Sequence, residues 1–172
     1  LTLITNENST FHRYSVWEDL GSNLEIKFET GMSFIEILQI NDINFYCANY
    51  ELDGRQYEFQ GYYIDSDNNN YYHDDVFYDD ITLNAYFNKL PKVTFNLNGG
   101  TYNEQTGVII EHTKWLNVYP TKDGYIFMGW TRTPDGEEFV TDVTNEDEIT
   151  LYAKWVSQSE PFSNSDLAGD SA

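Results

Sequence analysis

The sequence predicts a mainly β protein, with an α+β variant left open, made of two small repeat domains in tandem. Three observations predict it. Residues 57–87 and 125–155 align without a gap at an offset of 68. Apolar and aromatic residues alternate with polar ones over short runs, the period of a half-buried strand. Gly, Asn, Asp and Pro punctuate those runs where turns need them. The 172 residues leave room for two such domains.

The repeat comes first because every later assignment depends on it. Ten of the thirty-one aligned positions are identical, among them Gly61/Gly129, Ile81/Ile149, Leu83/Leu151 and Ala85/Ala153. Tyr62/Trp130 and Phe87/Trp155 are close substitutions. Upstream, residues 26–34 align with 108–116, and residues 1–8 with 93–100. The offset falls from 92 to 82 to 68, which places ten extra residues near 12–21 and fourteen near 40–55. Unit 1 is therefore residues 1–88, unit 2 is 92–156, and 157–172 is a polar linker or tail.

Unit 2 is the cleaner copy. Val93, Phe95 and Leu97 share one face of a first strand, and Asn98-Gly99-Gly100 is a turn. Residues 108–118 form a second extended run, closed by a turn at 120–124. Tyr125, Phe127 and Gly129 alternate with Ile126, Met128 and Trp130, a third strand covered on both faces with Phe127 at the centre of the core. Thr133-Pro134-Asp135-Gly136 turns the chain toward Glu138-Phe139-Val140. Ile149, Leu151 and Ala153 line the last strand. A unit this short is near the lower limit of independent stability. Its aromatic side chains offset that, since rings bury large areas.

The run VTFNLNGG, then KDGYIFMGWTRTPDGEEF, then DEITLYAKW resembles the Listeria–Bacteroides repeat, the B-repeat of internalin-type surface proteins. Unit 2 carries all three blocks and departs at Thr131, where the family often has Tyr. Unit 1 carries the centre as YEFQGYY and the end as DDITLNAYF, and has Glu7-Asn8-Ser9 in place of the NGG turn. The resemblance implies two tandem β-grasp-like modules from a long bacterial surface protein. It brings no catalytic residues with it.

Charge excludes some partners. Nine Lys and Arg against 29 Asp and Glu give a net charge of −20. Nucleic-acid binding needs clustered basic residues, so it is not expected. Anionic membrane surfaces are disfavoured for the same reason, and no run is long enough for a membrane helix. Residues 1–88 carry net −13 and residues 89–156 net −4. The chain begins at Leu1, so a piece of a longer protein is expected.

Several side chains invite a chemical reading. Asp65, Asp67 and Asn69 alternate like the start of a calcium loop, but Asn70 and Val76 stand where Gly and Glu are needed, so a solvated turn is expected. His12, His73 and His112 lack metal-ligand spacing and read as solvated loop histidines. Cys47, in the apolar run NFYCANY, reads as a buried, inert thiol. No catalytic residue, metal site or cofactor is expected. Unit 1's extra segments carry Tyr14, Trp17, Phe45, Tyr46 and Tyr50, which are the candidate partner-binding residues because aromatics anchor interfaces; the plain alternative is that they thicken unit 1's own core.

The expected function is a non-enzymatic repeat module of a secreted or cell-surface bacterial protein, outside the cell, acting as a spacer or stalk with a role in adhesion. Its partners would be a host or matrix protein or glycan, with no nucleic acid and no membrane insertion. The alternatives are a protein- or glycan-binding module acting through unit 1's insertions, and an accessory region of a secreted hydrolase.

Overall fold

The computed structural model describes residues 1–64 and 70–158 and divides into two units, Leu1–Lys89 and Leu90–Ala172. In unit 1 the chain runs β1 (Thr2–Ile4), β2 (Phe11–His12), β3 (Asp19–Gly21), β4 (Asn23–Glu25), β5 (Met32–Ser33), α1 (Phe34–Ile40), β6 (Tyr50–Leu52), β7 (Arg55–Tyr63), β8 (Asn70–Tyr71), β9 (Val76–Phe77) and β10 (Thr82–Lys89). Unit 2 has β11 (Lys92–Tyr102), β12 (Gln105–His112), β13 (Tyr125–Thr131) and β14 (Glu148–Ser157). The protein is mainly β.

The two units share one sheet plan. Unit 1 orders its strands β4-β1-β10-β7-β6, and unit 2 orders them β12-β11-β14-β13. In each, the first and last long strands lie parallel at the centre, flanked by antiparallel neighbours. The register repeats residue by residue. Thr2 faces Thr82 and Leu3 faces Leu83 in unit 1, while Thr94 faces Thr150 and Phe95 faces Leu151 in unit 2. Burial explains the constraint: Leu3, Leu83, Phe95 and Leu151 are completely buried, and a one-residue slip would turn them to solvent.

A shared bulge corrects the reading of the third strand. In β7 Phe59 faces Phe87 and Gly61 faces Tyr86, leaving Gln60 over; in β13 Phe127 faces Trp155 and Gly129 faces Lys154, leaving Met128 over. The extra residue reverses the alternation. Phe127 and Trp130, expected on opposite faces, therefore both pack into unit 2's core, Trp130 buried and Phe127 half-buried at its edge. Ile126 and Met128 are exposed, so the strand is not covered on both faces. Gly129 sits at the bulge with φ +140°, and a Cβ there would lie 2.8 Å from the Phe139 ring.

Three other expectations are corrected. Asn98-Gly99-Gly100 does not end the first strand: Asn98 and Gly99 have positive φ at an irregularity inside β11, and the hairpin turn falls at Asn103-Glu104, both also with positive φ. Residues 26–34 do not pair as 108–116 do. Leu24 faces Leu3 as Ile109 faces Phe95, so the offset between these strands is 85 rather than 82. Finally, unit 1 forms a helix, α1, in addition to the expected strands and turns. Ser33 caps it and Glu36 reaches back to the Ser33 backbone N–H at 2.9 Å, a capping box. Phe34, Ile37 and Leu38 bury one face at helical spacing.

Candidate functional site

The two extra segments of unit 1 meet. The first forms the β2–β3 hairpin, and the second is the loop from α1 to β6, with β6 itself. They are laced by backbone bonds: Tyr14 N–H donates to the Asp42 carbonyl at 3.1 Å, Asn44 N–H to the His12 carbonyl at 2.9 Å, and Ala48 N–H to the Thr10 carbonyl at 3.1 Å. Ser15 adds its own N–H to the Asp42 carboxylate at 3.0 Å, and its hydroxyl donates to the other carboxylate oxygen. Those donors, the hydroxyl foremost, hold the Asp42 carboxyl below its usual range. Asp42 itself has φ 54°, a left-handed geometry that Asp tolerates.

The candidate aromatics part company here. Phe45 belongs to the core, its ring against Phe34, Phe59, Tyr62 and His73. Tyr50 is half-buried, stacked on Tyr57 at 4.8 Å and edge-on to Phe87. Tyr14, Trp17 and Tyr46 stand exposed, Trp17 at 81%. Tyr14 and Tyr46 border a cavity of about 350 Å³ with Ile35, Ile43, Phe45 and His73. Trp17 lies apart from that lining, its ring 4.5 Å from the His12 imidazole. The insertions thus do two things: Leu20, Ile43, Phe45 and Cys47 enlarge the core, and three rings remain at the surface.

The other titratable candidates settle into place. His12 is buried, not solvated as expected, and burial lowers its pKa. His73 packs on Phe45 with ring centroids 4.1 Å apart. Cys47 is buried with its Sγ 3.6 Å from the Tyr62 hydroxyl, and desolvation pushes the thiol up to about 12, a value that keeps it protonated. The Tyr62 hydroxyl donates to the Phe45 carbonyl at 2.7 Å. Asp65, Asp67 and Asn69 lie outside the described residues. Among the described residues no group of three or more His, Cys, Asp or Glu is arranged to hold a metal, and no helix is long and apolar enough to cross a membrane. What the surface offers chemically is flat aromatic area in an acidic setting, suited to contact.

Residues 92–154 match the family model of the Listeria-Bacteroides repeat domain. No curated protein matches the chain. Proteins carrying this repeat are typically found on bacterial surfaces.

Proposed function

We propose that this chain, with a Listeria-Bacteroides repeat at residues 92–154, is a non-enzymatic spacer of an extracellular, surface-attached or secreted bacterial protein. The repeated register carries the reading. Two units of different length and charge keep the same four central strands, the same parallel pair and the same bulge. One scaffold built twice under two different surfaces points to geometry rather than chemistry. The test displays the chain between a surface anchor and an epitope and measures epitope height. Replacing unit 2 by an unrelated folded domain of similar length should leave height and epitope access unchanged. Loss of the parent protein's activity despite unchanged height would refute the reading.

A second reading is contact through unit 1, favoured by Tyr14, Trp17 and Tyr46 lying exposed on the laced insertions. Its partner would be a host or matrix protein or glycan, drawn to the acidic unit in a salt-sensitive way. Replacing the three rings by Ala should abolish retention on matrix extracts while unit 1 stays folded. Retention by the triple variant at the original level would exclude it.

A further inference from the structure

Unit 2 has an open groove of about 600 Å³ bordered by Leu116, Tyr119, Phe127, Met128, Trp130 and Phe139. Unit 1 shows what fills its counterpart. The ring frame is the same in both: Phe59 lies 5.2 Å from Tyr62 and 5.8 Å from Phe87, and Phe127 lies 5.2 Å from Trp130 and 5.6 Å from Trp155. Unit 1 adds two rings from its own insertion. Phe45 stands against Phe59, Tyr62 and His73, and Tyr46 against Phe59. At the offset of 68, those three contacts of Phe45 become Phe127, Trp130 and Thr141, all of which border the unit 2 groove. Burial follows suit: Phe59 is buried while Phe127 is half-buried.

The backbone tells the same story. In unit 1 the insertion continues past Phe45 into β6, which pairs antiparallel with β7 through Tyr50–Tyr57 and Leu52–Arg55. The Asn49 side-chain carbonyl accepts the Phe59 N–H at 2.8 Å. Among the described residues the equivalent strand of unit 2, β13, ends its sheet. Phe139 and Val140 bridge it at Thr131 and Trp130. The positions that β6 pairs with in unit 1 correspond at the offset of 68 to Asp123, Gly124 and Tyr125, at its start, where a strand end templates pairing with another chain. Phe139, Val140 and Thr141 join the groove to a neighbouring depression carrying Glu137, Glu138 and Asp142 against one cation, Arg132, which is paired with Glu146. The rim is therefore acidic.

We infer that the unit 2 groove binds an extended segment of a partner protein that seats an aromatic side chain between Phe127, Met128 and Phe139, pairs with β13, and sets Lys or Arg against Glu138 and Asp142. The unit 1 insertion is the internal version of that ligand. Edge pairing supplies affinity and the ring supplies specificity, the usual division in strand addition. The acidic tail at 159–172, with Phe162, has the wrong charge for the rim.

The probe is a fluorescent peptide of residues 43–50 with Cys47→Ser and a lysine added at each end, titrated into the full chain by anisotropy. Saturable binding is expected, weakening with salt, and falling about tenfold or more for the Phe45→Ala peptide. Met128→Glu in the chain should weaken binding comparably; Met128 is exposed, so circular dichroism should be unchanged. Absence of saturation, equal binding of the Phe45→Ala peptide, or equal binding by Met128→Glu overturns the proposal. Two other outcomes overturn it by naming another occupant. Tighter binding once residues 159–172 are removed would make it the tail. Self-association abolished by Met128→Glu would make it a second copy.

Discussion

Trp130 and Phe127 sit three residues apart on one bulged strand, yet they should respond differently to truncation. Trp130 is buried, and its Nε1–H donates to the Val118 carbonyl at 3.2 Å. Trp130→Ala should cost about 3–5 kcal/mol, leaving a cavity and an unpaired carbonyl. Phe127 borders the groove, so Phe127→Ala should cost about 2 kcal/mol. Urea titration of the chain checks both, and the order matters more than either value. A Cβ at Gly100 would approach the Thr121 carbonyl to 2.9 Å and press on the Trp155 ring; Gly100→Ala should therefore lower the unit 2 midpoint. His12 gives unit 1 a pH dependence. Burial lowers its folded pKa below 6.5, so as pH falls through 6.5 the unfolded chain takes up a proton that the folded chain resists. Stability should be lost progressively below that point, until the folded pKa is passed. Denaturation midpoints at pH 7 and pH 5 should differ more for the native chain than for His12→Gln.

At the scale of elements, α1 depends on its cap. Ser33→Ala removes the side-chain acceptor that meets the Glu36 N–H and should cost about 1 kcal/mol. Hydrogen exchange of α1 amides is the direct measure. The helix is legible in the capping-box spacing of Ser33 and Glu36 together with apolar Phe34, Ile37 and Leu38, while the described residues of unit 2 form no helix to mark it in the repeat. The bulge was harder to read. Strict alternation is the only face signal a strand sequence carries, and one unpaired residue inverts it; the hint was Gly61 and Gly129 recurring beside the inversion. The Asn98-Gly99-Gly100 motif misled because residues with positive φ serve bulges as well as turns. Nothing in sequence could reveal that the two insertions meet, since the bonds joining Tyr14 to Asp42 and Asn44 to His12 span nearly thirty residues or more and are mostly between backbone groups.

For the molecule as a whole, sequence was a better guide. The ungapped alignment of 57–87 with 125–155 predicted that the two segments are equivalent, and the registers of β7–β10 and β13–β14 coincide residue for residue at that offset, because long-range pairing is fixed by which face is buried. The candidate aromatics were only partly legible: type and position identified them as insertion residues, but not whether a ring would turn inward, as Phe45 does, or outward, as Tyr14, Trp17 and Tyr46 do. Each unit has its own apolar cluster, so a fragment of residues 90–158 should unfold cooperatively on its own. Calorimetry that finds no transition for that fragment would contradict this.

The parallel central pair has a mechanical consequence. In unit 2 the chain enters through β11 and leaves through β14, adjacent strands running the same way, with Lys92 opposite Glu148. Tension applied at the two ends pulls these strands along their axes in opposite directions. The hydrogen bonds between them are then loaded together, in shear, and must fail nearly at once. Pulled instead at Lys92 and His112, which face each other at the end of the β11–β12 ladder, the same sheet would unzip one bond at a time. Forced unfolding follows the unfolding rate rather than the equilibrium free energy, so the end-to-end direction should require the larger rupture force although stability is identical. Optical-tweezer measurements with handles at Lys92 and Ser157, then at Lys92 and His112, make the comparison. A folded thread of this design is strong along the one direction in which its two ends are drawn.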